Sequence, residues 1–247
     1  MIIDSHCHLK HGDAERTEYS ADSIVEMMDS VGVDKAVVFA MSTTTAASIE
    51  MAQKAVEQYP DRLIPYVYAL PHYRRPVLDE IDHAISDLGF RGIKIHGGEC
   101  TLAEYAVDPV IELAGVRGVP CLIDCKGQVS PMRRLAESYP GTTIICAHLG
   151  QYLCTNVALM DRFIEIAEEH ANFMLDVSGV VTLWKIEDAV ARVGSDRVIF
   201  GMDGPHKTPD VFAFARHELD KINRLALSDE QKRDVLGNTI ARIIGLQ

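Results

Sequence analysis

The chain has 247 residues, a formal net charge of -12 and no Pro/Ser-rich or like-charged stretch that would mark a linker. That acidic balance excludes a protein that neutralises phosphates along a nucleic acid or docks on an anionic membrane, and no apolar run approaches the roughly 20 residues of a membrane span. The expectation is one domain over 1–247 acting on a small molecule.

The first residues lack the basic start and long apolar stretch of a secretory leader, so the cytoplasm is the expected compartment. There the six cysteines stay reduced, and their scattered spacing offers no C-x-x-C pair. Most read as small core residues.

In chain order, short apolar runs occur at IID (2–4), AVVFAM (36–41), LIPYVYAL (63–70), GIKIH (92–96), PCLID (120–124), TIICAH (143–148), FMLDVS (173–178) and VIFGMD (198–203). Helix-period segments separate them: SADSIVEMMDSVG, capped by Ser20 and stopped by Gly32, then AASIEMAQKAVEQYP, PVLDEIDHAISDLG, DPVIELAGVRG, SPMRRLAESYPG, NVALMDRFIEIAEEH and TLWKIEDAVARVG. Strand and helix in repeated alternation predict a parallel sheet, because parallel strands need crossovers long enough to hold a helix. Eight units in this length predict a (β/α)8 TIM barrel of the α/β class. The competitor, an open doubly wound sheet, carries a glycine-rich phosphate turn after its first strand, where this chain has HCHLKHGD. VFAFARHELDKI and SDEQKRDVLGNTIARIIGL read as extra C-terminal helices closing the barrel from outside.

Side chains alternate faces along a strand. With Ile3 and Cys7 toward the helices, Asp4, His6 and His8 point inward. The same parity sends Lys94 and His96 inward on the fourth run, Leu122 and Asp124 on the fifth, Cys146 and His148 on the sixth, and Gly201 and Asp203 on the eighth. All lie at C-terminal strand ends, where barrel enzymes place their chemistry. Two histidines at i and i+2 reach one cation from the same face, and carboxylates from other strands complete such a set. Asp4 is expected to orient backbone or a histidine.

The stretches IIDSHCH, GFRGIKIHG, IICAHLG, VIFGMDGP and SDEQKRDVLGNTIARIIGL, in that order over essentially the whole chain, resemble the amidohydrolase superfamily of metal-dependent barrels. The resemblance is greatest to its amidohydrolase 2 branch, which also holds aromatic-acid decarboxylases, lactonases and hydratases. H-x-H alone is unspecific; the five in register carry the likeness. The resemblance implies that His6 and His8 are metal ligands, Asp203 the eighth-strand ligand and proton acceptor, and His148 a ligand or acid/base. Relatives commonly read P-V-L-I-H where this chain reads Pro120, Cys121, Leu122, Ile123, Asp124. Asp124 then either stays a ligand, in a harder set that suits Mn2+, Fe2+ or Mg2+, or leaves the metal and pairs with Lys94 or Lys126. Some relatives work without a metal. In other branches a fourth-strand lysine is carbamylated and bridges two metals; in the G-I-K-I-H pattern Lys94 reads as an unmodified amine, with a two-metal site as the alternative.

The expected activity is hydrolysis of a small amide, lactone or ester by water activated at a divalent metal, Zn2+ first and Mn2+ or Fe2+ next, with Asp203, His148 and Lys94 catalytic. His6, His8, Asp124 and Asp203 are the expected metal ligands. Two alternatives stand beside it: a metal-dependent decarboxylase of a small aromatic or unsaturated acid, and a non-catalytic barrel with a decayed site. His96, Glu99, Lys126, Trp184 and His206 are candidate substrate contacts on the same rim, as are Arg74, Arg75 and Lys207, although each alone reads as surface. His11 stands between loop and substrate contact. His72, His83, His170 and His217 read as satisfied core histidines, and Cys7 and Cys125 as facing away from the site. A homo-oligomer is compatible with all of this.

Overall fold

The computed structural model describes residues 1–246. Strand and helix alternate through β1 (Ile3–Lys10), α1 (Ala21–Val31), β2 (Lys35–Ala40), α2 (Thr45–Gln58), β3 (Leu63–Pro65), β4 (Val67–Tyr68), α3 (Leu78–Ser86), β5 (Ile93–His96), α4 (Glu104–Arg117), β6 (Cys121–Asp124), α5 (Val129–Ser138), β7 (Ile144–Cys146), α6 (Val157–Glu169), β8 (Phe173–Asp176), α7 (Trp184–Val193) and β9 (Val198–Ile199). After these come α8 (Val211–Arg224), α9 (Asp229–Arg233) and α10 (Thr239–Ile243). Among the described residues no helix is long and apolar enough to cross a membrane.

Among the described residues every strand pairing is parallel and joins sequence neighbours, with β3 and β4 the one consecutive pair left unpaired. The predicted third run is interrupted at Tyr66, whose N–H still reaches Val38 O at 3.0 Å while Val67 N reaches Gly92 O at 2.9 Å, so the ring of strands continues across the break. Closure comes at the other end. Ser5 N donates to Phe200 O (3.1 Å), Asp203 N to His6 O (2.8 Å) and His8 N to Gly204 O (2.7 Å), which joins the first strand to the last and completes the (β/α)8 barrel.

The apolar residues fall into two layers. Ala36, Val38, Ile93, Ile95, Cys121, Ile123 and Leu175 pack outward against the helices, while Phe39, Tyr66, Tyr68, Leu122, Ile145, Met174 and Ile199 fill the interior. Gly92 is required beneath Tyr66, because a Cβ there would lie 2.3 Å from the Tyr66 ring. Ser20 caps α1 through the Ser23 N–H, and Gly32 ends it in the left-handed region.

The first strand runs on past its apolar start to Lys10, with both histidines within it as expected, and two expectations change. Helix α4 begins at Glu104, a turn before the Asp108-Pro109 pair expected to start it, and Pro109 forgoes one backbone hydrogen bond inside it. The tail is not wholly outside the barrel: Ile240, Ala241 and Ile244 join the interior cluster that includes Ile3 and Ile199. Gly237 lets that tail close in, since a Cβ there would stand 2.2 Å from Met1 O.

Because Ile240 is fully buried at this plug, Ile240→Ala should lower stability by about 2 to 5 kcal/mol, read as a shift in urea midpoint at unchanged slope.

Candidate metal centre and active site

The two histidines of β1 face the interior because the strand changes phase. Its pairing with β2 is irregular between Asp4 and Cys7. Ile3, expected to face the helices, belongs to the interior cluster instead, while Cys7 packs outward as predicted. Asp4 holds this irregularity in place: its Oδ1 accepts from His6 N (3.0 Å) and from Met202 N (2.8 Å) on the closing run. Burial pushes the Asp4 carboxyl well above the usual carboxylate range despite those two N–H groups.

His6 Nε2 and His8 Nε2 converge on Asp203 Oδ1, at 3.1 and 2.9 Å. Two donors each about 2.1 Å from one ion lie about 3.0 to 3.4 Å apart, so this spacing fits a shared divalent cation. Lys94 Nζ lies 2.8 Å from His6 Nε2 and 5.2 Å from the Phe39 ring centre. An imidazole nitrogen has one lone pair, so Lys94 and a metal compete for it. The His8 Nδ1 is buried without a partner.

His148 and Asp203 reach the site through strained backbone. Ile145 and Ala147 are interior and Cys146 is outward, opposite to the expected parity. His148 turns in only because it and Leu149 take φ of 62° and 48°, and Asp203 likewise has φ 58°. Gly201 leaves room beside them: a Cβ there would sit 2.5 Å from Asp176 Oδ2 and 2.8 Å from His6 Cβ.

Asp124 does not join the His6, His8 and Asp203 cluster. Its Oδ2 lies 3.1 Å from His96 Nε2 and 3.6 Å from His148 Nε2, and its Oδ1 accepts from the Lys126 backbone N–H at 3.0 Å. His96 stands directly opposite Asp124 in the β5–β6 register. The carboxylate pairs with two imidazoles, rather than with the Lys94 or Lys126 amine.

Charge sorts these groups. Burial opposes ionisation of Asp203 and Asp124, yet the surrounding imidazoles hold both well below the carboxylate range. Burial also opposes a charged His148, but Asp203, Asp124 and Asp176 raise it to about 9. His6 is lowered by burial and then by Lys94; burial and then His11 lower His8 further. Lys94 is lowered chiefly by burial, with the three aspartates resisting. At neutral pH the site therefore sets an ionised Asp203 beside neutral His6 and His8, with an imidazolium at His148.

A cavity of about 240 Å³ opens on these groups and is lined further by His11, His96, Lys126, Tyr152 and His206. His11 stacks between His8 (4.4 Å) and His206 (4.7 Å). Two candidate contacts lie off this lining: Glu99 turns to Ser42 and Tyr68, and Trp184 stands exposed at the start of α7. Arg75 pairs with Glu80, Lys207 with Glu15, and Arg74 stacks over Tyr73. His72, His83 and His217 are exposed rather than core, since loops and outer helix faces carry them; His170 is half-buried. Sequence reasoning missed Tyr152, Asp176 and Ser178. The signal for Asp176 was an acid ending an apolar run with the same parity as the interior Met174.

A family model described as amidohydrolase matches residues 3–246. No curated protein matches the chain. Among solved structures, the chain is similar to a dihydroxybenzoic acid decarboxylase from a Polaromonas species with bound manganese and the inhibitor 2-nitroresorcinol (17% identity, 99% of this chain and 97% of that one, TM-score 0.75). It is similar also to a probable 2-pyrone-4,6-dicarboxylic acid hydrolase from Acinetobacter baumannii with citric acid bound (14%, 99% of each chain, TM-score 0.76). A third is an amidohydrolase from Burkholderia multivorans with bound zinc (14%, 100% of each chain, TM-score 0.77). At these identities the likeness is one of fold.

The raised His148 pKa has a sign that can be checked. A folded value of about 9 against an ordinary 6.5 gives stability that is full below 6.5 and lost as pH rises through 9. Metal-free protein should lose up to about 3 kcal/mol on this account between pH 6 and pH 10, by urea titration, and His148→Gln should flatten that part of the profile.

Proposed function

The chain belongs to the amidohydrolase family, and we propose on that premise that it is a metal-dependent hydrolase of a small anionic carbonyl compound, an amide, lactone or ester. The observation that carries this reading is the convergence of His6 Nε2, His8 Nε2 and Asp203 Oδ1 on one point. These three would hold the ion. When bound, a divalent cation polarises a carbonyl oxygen and lowers the pKa of water beside it. Two imidazoles and a carboxylate suit zinc, manganese and iron(II), and we assign zinc first.

The chain's own groups divide the proton work. Asp203 Oδ2, the oxygen not aimed at His6 and His8, faces His206 Nε2 at 3.8 Å and accepts the proton of the attacking water. His148 starts as an imidazolium and gives its Nε2 proton to the leaving group. Lys94, which a cation bound at His6 would displace from that lone pair, would stabilise the developing oxyanion. Lys126 is exposed at the cavity mouth with no ion pair among the described residues, and it attracts the substrate's anionic group.

Decarboxylation of a small aromatic or unsaturated acid is the second reading. Lys94, Lys126 and the His148 imidazolium form a cationic wall that would seat a carboxylate as well as an oxyanion. A decayed barrel is the weakest, because His6, His8, His148 and Asp203 all converge on one cavity.

Protein purified without chelator should carry close to one metal per chain by elemental analysis, and His8→Ala should lose it. Fully active metal-free protein would overturn the metal reading. Release of alcohol or amine from model esters and amides supports hydrolysis, whereas CO2 from dihydroxybenzoates supports the lyase. Lys94→Met should keep or tighten metal binding while cutting kcat by about 100-fold or more; loss of metal in that variant would instead point to a carbamylated Lys94.

A further inference from the structure

Behind the histidines, away from the cavity, lies a group to which neither the proposed reaction nor the family resemblance gives a part. Ser178 Oγ stands 3.2 Å from His6 Nδ1 and 3.0 Å from His148 Nδ1, and it donates to Asp176 Oδ1. All four residues are buried. The two imidazole rings lie 5.1 Å apart at 25°, so one hydroxyl reaches both.

We propose that Ser178 is a positioning residue whose hydroxyl accepts from Nδ1–H of both His6 and His148, so that each ring presents Nε2 to the cavity. The proposal rests on the reading above, in which His6 binds the ion and His148 moves a proton.

Counting donors supports it. A serine hydroxyl has one proton and two acceptor lone pairs. The proton goes to Asp176, which leaves the two lone pairs for the two Nδ1–H groups. His148 Nδ1 also lies 2.9 Å from the Ser178 carbonyl oxygen, which only accepts, so that nitrogen must carry a proton. On the cavity side His6 Nε2 lies between the Lys94 ammonium, which only donates (2.8 Å), and the Asp203 carboxylate, which only accepts (3.1 Å), so the Nδ1 side decides the tautomer. Asp176 Oδ1 is itself 3.7 Å from His6 Nδ1 and 4.0 Å from His148 Nδ1, beyond hydrogen-bond reach. Its hydrogen-bond link to the two rings runs through the serine. The ion's lone pair on His6 and the mobile proton on His148 are thereby confined to the cavity-facing nitrogens.

Ser178 is in turn held on both sides. Asp176 Oδ1 accepts from Ser178 N and His148 N, each at 3.1 Å. Lys221 Nζ donates to Val177 O at 2.8 Å, Gly179 N donates to Glu218 Oε2 at 3.1 Å, and Lys221 and Glu218 are a buried pair 2.5 Å apart on α8. Gly179 has φ +60°, and a Cβ there would meet the Tyr152 ring at 2.3 Å. The backbone that carries the hydroxyl is thereby held on both sides.

The test is long-range 1H–15N NMR on metal-free, 15N-histidine-labelled full-length protein, with the His6 signals assigned by their loss in His6→Gln. His6 should appear as the Nδ1–H tautomer. Ser178→Ala should shift it toward Nε2–H and weaken zinc binding about 10- to 100-fold by calorimetry, and Ser178→Thr should restore both. An Nε2–H tautomer in the wild type, or Ser178→Ala with unchanged tautomer and zinc affinity, overturns the proposal. The wild-type spectrum decides the point even if Ser178→Ala does not fold. Wild type that binds no zinc but shows the Nδ1–H tautomer would count against the metal reading alone and leave Ser178's role standing.

Discussion

The seam between the first and last strands governs the rest of the molecule. There the Asp4 carboxyl takes the N–H of His6 from one strand and of Met202 from the other. One buried carboxyl thus ties the two strands at the closure and sets the phase of β1, turning His6 and His8 inward while Ile3 stays with the interior cluster. Stability and the aim of the two imidazoles share a cause. The closing run supplies Asp203, whose own N–H bonds His6 O, so the carboxylate and the imidazole it meets are registered by backbone.

Around that seam the protein gathers several ionisable groups inside the barrel. Asp124, Asp176 and Asp203 stand against Lys94 and His148, and none is compensated by a single partner. Buried charges of this kind contribute little net stability but are costly to break singly, by about 3 to 5 kcal/mol. The arrangement fixes protonation states instead. Asp203 is kept able to accept a proton and His148 able to give one, within a cavity of about 240 Å³.

Much of this was readable from residue types alone. His6, His8, Lys94, His148 and Asp203 each follow a short apolar stretch, and strand ends on one rim bring such residues together. Directions along the strands were less legible. Strict alternation misplaced Ile3 and Cys146, because a register irregularity after Asp4 and left-handed residues at His148 and Leu149 reset the phase, and neither leaves a mark in apolar pattern. Asp124 stood out as a departure from the family, yet its partner is set by cross-strand register: His96 lies opposite it, and no spacing in the chain encodes that pairing. Asp176 and Ser178 stayed hidden inside FMLDVS, where an acid looked like the end of a strand rather than the back of a histidine pair.

Lys94 occupies a particular place in this economy of charge. Its ammonium meets the lone pair of His6, and its charge stands against those of Asp124, Asp203 and Asp176. A cation held by His6, His8 and Asp203 would have to take the place of that ammonium, so the lysine sets a threshold that an incoming metal must exceed and a loosely held ion does not.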